Sequence, residues 1–140
     1  MSYEEKGTWV YLVGTIGVYA AYVIYVLSQG AALPNSNWIW PLVISIGAGI
    51  VVGIVLRILV EIVIPSESYK ADVRDKGVSR RGDAAGNWLI IAGALGGLVL
   101  ALLAQDYFWI ANVIYLGFVL SAVTSSIVKI AAYRGVVQPW

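Results

Sequence analysis

Four long apolar runs, separated by polar connections, set the pattern of this chain. The first runs from about Thr8 to Leu27 and the second from about Trp38 to Ile64. The third runs from about Asn87 to Ala104 and the fourth from about Phe108 to Ala132. Each is near or above the roughly 20 apolar residues that a helix needs to cross a bilayer. Gly30, Pro34 and Asn35 punctuate the first connection, Pro65 and Ser66 open the second, and Gln105-Asp106-Tyr107 forms the third. The pattern predicts an all-α protein, a four-helix transmembrane bundle. It is a single integral membrane domain over residues 1–140, with a polar loop at about residues 65–86.

Basic residues orient these spans. The middle connection holds Lys70, Arg74, Lys76, Arg80 and Arg81, and the chain ends hold Lys6, Lys129 and Arg134. The first and third connections hold no Lys or Arg. The positive-inside rule then predicts that both termini and the loop are cytoplasmic. Aromatic residues fall where interfacial belts would lie: Trp38, Trp40, Tyr107 and Trp109 outside, Trp9, Trp88 and Tyr133 inside. Glu4, Glu5 and Lys6 precede the first span, where a cleaved signal would carry net positive charge, so this span is expected to stay.

Composition narrows the chemistry. The chain is 60% hydrophobic and only 12% charged, which leaves little room for a soluble domain. There is no Cys and no His. That removes disulfides, thiolate catalysis, typical zinc sites and the usual proton shuttle near neutral pH. The basic loop residues are interleaved with Glu67, Asp72, Asp75 and Asp83, so no nucleic-acid footprint is expected. The aspartate spacing does not match a calcium loop, and no metal or cofactor is expected.

Small and polar residues form stripes along the spans. Ser45, Gly49, Gly53, Arg57 and Glu61 recur every fourth residue, a slowly winding helix face. The Gly49–Gly53 and Gly93–Gly97 pairs fit the small-xxx-small pattern of close helix packing. Span four adds Gly117, Ser121, Ser125 and Lys129. These seams are expected to pack the bundle, with a homo-oligomer interface as the alternative. Arg57 and Glu61 lie inside a span, where charges face protein or water. They are expected to pair with each other, to snorkel, or to meet Lys129 across the bundle, and a path for an ion or substrate is the functional alternative. A stripe on span one, Tyr11, Thr15, Tyr22, Tyr25 and Gln29, is expected to pack on Asn112, Tyr115 and Ser126, with a polar pocket as the other reading.

The loop from Asp72 to Asp83 is dense in both charges. Gly77 and Gly82 weigh against a long helix, so a short interfacial helix and a turn are expected before span three. Asp83 is expected to cap that span. Asp72, Arg74, Asp75, Arg80, Arg81 and Asp83 are the candidate docking residues, and the basic ones also suit anionic lipid. The motif Asp72-x-Arg74-Asp75 followed by Arg80-Arg81-Gly82-Asp83-x-x-Gly86 resembles the DERD…RRGD..G signature of a family of small prokaryotic membrane proteins of unknown function. Phe108-Trp109-Ile110-Ala111-Asn112 and Ser125-Ser126-Ile127-Val128-Lys129 look like that family's fourth span, so the similarity covers about residues 69–133. Val73 stands where the family has Glu. The resemblance implies a bacterial or archaeal plasma membrane and brings no activity.

Three function classes follow. The first is a non-enzymatic module that oligomerises or binds a larger membrane partner. The second is a small oligomeric transporter or channel using Arg57 and Glu61. Four-span multidrug exporters are similar in size, but they carry an acidic residue in their first span and this span has none. The third is an enzyme with a Ser125–Lys129 pair, which share a helix face. Hydroxyls in spans more often pack or bond to backbone, and catalysis is not expected.

Overall fold

A computed structural model describes residues 3–28, 38–65 and 73–135. Among these residues there are four α-helices and no strand: α1 Tyr3–Leu27, α2 Ile39–Val63, α3 Val73–Leu102 and α4 Tyr107–Tyr133. All four are long and apolar enough to cross a membrane. In hydrocarbon a backbone must satisfy its own hydrogen bonds, and an uninterrupted helix does so. The chain is an all-α four-helix bundle with the makeup of a multi-pass membrane protein.

Consecutive helices run antiparallel. The start of α1 therefore meets the end of α2, and the start of α3 meets the end of α4. The end where α1 begins and α4 finishes is called the basal end below. α4 is central: α3 packs along one side of it and α1 along another, and α2 packs on α1. The far end is closed by an apolar cluster of Tyr22, Trp38 and Phe108 with Val26. Trp38, expected in an interfacial belt, is buried there, with its ring 5.3 Å from Phe108 and 5.5 Å from Tyr107. Trp40, Trp88 and Trp109 are exposed.

The third helix departs from expectation. It begins at Val73 and runs unbroken to Leu102, so most of the expected loop is helical. At 1.5 Å per residue it measures about 45 Å, well beyond a roughly 30 Å hydrocarbon core. Asp83 lies inside this helix and is not its cap. Tertiary packing overrides the glycine penalty. A Cβ at Gly82 would lie 2.8 Å from the Ser125 carbonyl oxygen, and one at Gly86 would lie 2.8 Å from that of Ser121. The glycines that weaken an isolated helix let this one lie directly on α4. Gly93 and Gly117 continue the contact, a Cβ on either lying 2.8 Å from the other's Cα.

The turn from α3 to α4 is fully specified. Gln105 N–H donates to the Leu100 carbonyl and Ala104 N–H to that of Ala101, both at 3.0 Å. This is the Schellman arrangement, and it puts Ala104 at φ +55° where glycine is usual. Asp106 then caps α4 by accepting from the Phe108 N–H at 2.9 Å.

Candidate functional site

At the basal end the first turns of α1 are pinned to their neighbours by charge. Lys6 Nζ lies 2.8 Å from Glu61 Oε1 and also donates to the Ile64 carbonyl at the end of α2. Lys6 is only 3% exposed and Glu61 15%, so the cation is buried and the carboxylate nearly so. Arg57 Nη2 donates to the Tyr3 carbonyl, and its guanidinium carbon sits 3.4 Å from the centre of the Tyr3 ring. Gly7 makes room for it, since a Cβ there would lie 2.8 Å from Nη1. Glu5 and Arg134 add a 3.4 Å pair between α1 and the end of α4.

Expected partners are thus exchanged. Lys129 is expected near Glu61, but it pairs with Asp83 of α3 at 3.0 Å. Glu61 goes to Lys6 and Arg57 goes to Tyr3. A sequence signal existed for Lys6: in an antiparallel hairpin of two spans, the start of one must face the end of the other. No signal marked the Tyr3 carbonyl, because every residue carries one.

The candidate docking residues divide. Asp75 is buried and accepts a hydrogen bond from the Tyr133 hydroxyl at 2.6 Å. Arg74 donates to the Tyr133 carbonyl and lies 5.6 Å from the centre of its ring. Both residues therefore fasten α3 to α4 through Tyr133. Arg80, Arg81 and Asp83 are exposed. Asp72 and Gln29 lie outside the described residues, as do Glu67 and Lys70.

The tyrosine stripe of α1 packs on α4, as expected, through part of its length. Tyr22 donates to Asn112 Oδ1, and its ring lies 5.4 Å from that of Tyr115. Tyr19, which the stripe omitted, stands edge-on to Tyr115 at 5.2 Å. The Tyr115 hydroxyl reaches the hydroxyl of Ser45 on α2 at 2.8 Å. Tyr11 and Tyr25 are exposed.

Between these basal and far-end ties, α1, α2 and α4 enclose an open groove of about 860 Å³. Arg57 and Lys129 stand at its basal end, Ser45 and Tyr115 at the other. Gly14, Gly49 and Gly53 line it. Gly93 and Gly97 are helix-packing glycines, as expected. Gly49 and Gly53 instead are groove residues: Gly49 has only the Val18 side chain within reach of a Cβ, at 3.9 Å, and Gly53 has nothing within 4 Å. One atom in this region is unsatisfied. Arg57 Nη1 is buried and has no hydrogen-bond partner among the described residues. Among the described residues no cluster of three or more His, Cys, Asp or Glu side chains suits a metal ion.

No protein-family model, curated protein or solved structure matches this chain. Its function is therefore argued from the geometry above.

Proposed function

We propose that this protein is a non-enzymatic membrane module that assembles with a second copy of itself through α2. It resides in the plasma membrane of a bacterium or archaeon, with the basal end in the cytoplasm. The charge asymmetry between the connections supports that orientation.

The observation that carries the assembly reading is how little of α2 is buried. Ser45 is its single buried residue, although the helix has 25 residues. Ile44, Val51, Val55, Ile58 and Ile62 are exposed on the side away from the groove. Gly47 lies among them with open space where a Cβ would be. In lipid, where apolar surface alone gives no drive to associate, small residues allow the close packing that does. Symmetric pairing of identical faces is the commonest way for such a surface to close.

The absence of cysteine gives a clean test. Val51→Cys and Val55→Cys should form disulfide-linked dimers in native membranes, and Leu98→Cys on the exposed side of α3 should not. Monomer from both α2 variants, with monomer by native mass spectrometry, would sink the proposal. A stoichiometric larger companion would make the chain an accessory subunit instead. The groove beside Arg57 favours one second reading, a small oligomeric transporter using Arg57 and Glu61. It requires Glu61→Gln to abolish flux in vesicles while assembly persists. The engagement of Glu61 with Lys6 weighs against it.

A further inference from the structure

We propose that the groove between α1, α2 and α4 seats one acyl chain of an anionic phospholipid, with its phosphate on Arg57. The site is separate from the outer face of α2 and does not depend on assembly there.

Length supports this assignment. The groove follows α2 from Ser45 to Arg57, twelve residues and about 18 Å of helix. One leaflet contributes about half of a roughly 30 Å hydrocarbon core. The groove is therefore about one acyl chain deep, and its charged end lies toward the basal surface. Its walls are mostly apolar, with Val18, Ile46, Ile50 and Ile54 among them, and Thr8, Thr15 and Ser126 add hydroxyls. Gly14, Gly49 and Gly53 leave a channel where side chains would otherwise stand. At the far end Ser45 and Tyr115 are hydrogen-bonded to each other at 2.8 Å, so a methyl terminus there strands no polar group.

The charged end calls for an anion. Arg57 has committed Nη2 to the Tyr3 carbonyl and one face of its guanidinium plane to the Tyr3 ring, which leaves Nη1 buried and without a partner among the described residues. An unmade hydrogen bond of a buried charged group is expensive. A phosphate oxygen satisfies it, and the planar guanidinium is already held in place by Tyr3. Lys129 lines the same groove while it holds Asp83, and Glu4 is the acid that lines it. Lys129 is thus already met by Asp83, whereas Arg57 has no carboxylate in ion-pair reach among the described residues, which favours a lipid with net negative charge over a zwitterionic one. An inorganic anion alone would leave the long apolar walls unused.

The test uses the full chain, delipidated in detergent and titrated with dioleoyl phosphatidylglycerol or dioleoyl phosphatidylcholine under native mass spectrometry. A single phosphatidylglycerol adduct is expected, formed at about tenfold lower lipid concentration than the phosphatidylcholine adduct. Arg57→Gln should erase that preference. Gly53→Leu, which projects into open space, should remove both adducts while the protein stays folded. Equal affinity for the two lipids, no adduct, or an undiminished adduct on Gly53→Leu would overturn the proposal. A measurement without variants gives a second check. Phosphatidylglycerol with a photoreactive group at its acyl terminus should crosslink to peptides holding Ser45 or Tyr115, and crosslinks confined to α3 would contradict the assignment.

Discussion

Across the α3–α4 contact, a Cβ on Gly93 would stand 2.8 Å from the Cα of Gly117, while across α1–α2 the nearest atom to a Cβ on Gly49 is a valine methyl at 3.9 Å. Both hairpins carry glycines four residues apart. In one they bring two backbones together, and in the other they hollow out a groove. The difference lies in what stands opposite. α4 presents Ser125, Ser121 and Gly117 to Gly82, Gly86 and Gly93 of α3. α1 presents Val18 to Gly49 and nothing to Gly53. A small-xxx-small pattern on one helix permits close approach, and the partner decides whether it happens.

Substitution can break this contrast. Gly93→Leu should cost about 3 kcal/mol or prevent folding, because the obstructing atom is backbone and cannot move aside. Gly53→Leu should change stability by less than about 0.5 kcal/mol. Unfolding in mixed detergent micelles measures both, and equal losses would end the distinction. The ion pairs of the two hairpins sharpen it further. Lys6→Met leaves Glu61 with its main cation gone at 15% exposure, and should cost about 2 kcal/mol, somewhat below a fully buried pair. Lys129→Met frees an Asp83 side chain that is 67% exposed, and should cost less than about 1 kcal/mol. The same unfolding curves report the order of the two. The smallest effect runs the other way. Ala104→Gly relieves a left-handed backbone and should stabilise the α3–α4 turn by about 0.5–1 kcal/mol, visible as a small rise in midpoint.

The four spans were legible because hydrocarbon imposes length and apolarity on each helix separately. The ends of α2 and α4 fall within a few residues of the apolar runs. The start of α3 was not legible, because Gly77 and Gly82 count against a helix until Ser125 is known to lie opposite Gly82. The tyrosine stripe was read correctly at Tyr22, where a period of 3.6 residues and an expected hydrogen bond agree. The sequence suggests Glu61 as the partner of Arg57, but Glu61 is taken by Lys6. The actual partner of Arg57, the backbone of Tyr3, has no side-chain signature. Trp38 was placed by its position near a span end, but its burial depends on Tyr107 and Phe108, which lie far away in sequence.

The centrality of α4 bears on how the molecule is made. The helix that both α1 and α3 pack against is the last of the four to leave the ribosome. The first two spans must therefore wait in the bilayer while the second pair is synthesised. During that interval Tyr22 and Ser45 have neither Asn112 nor Tyr115 to bond. The α3–α4 hairpin, with its own turn and its glycine seam, can close as soon as it is inserted. The bundle is completed backwards, with its newest hairpin serving as the template for its oldest helix.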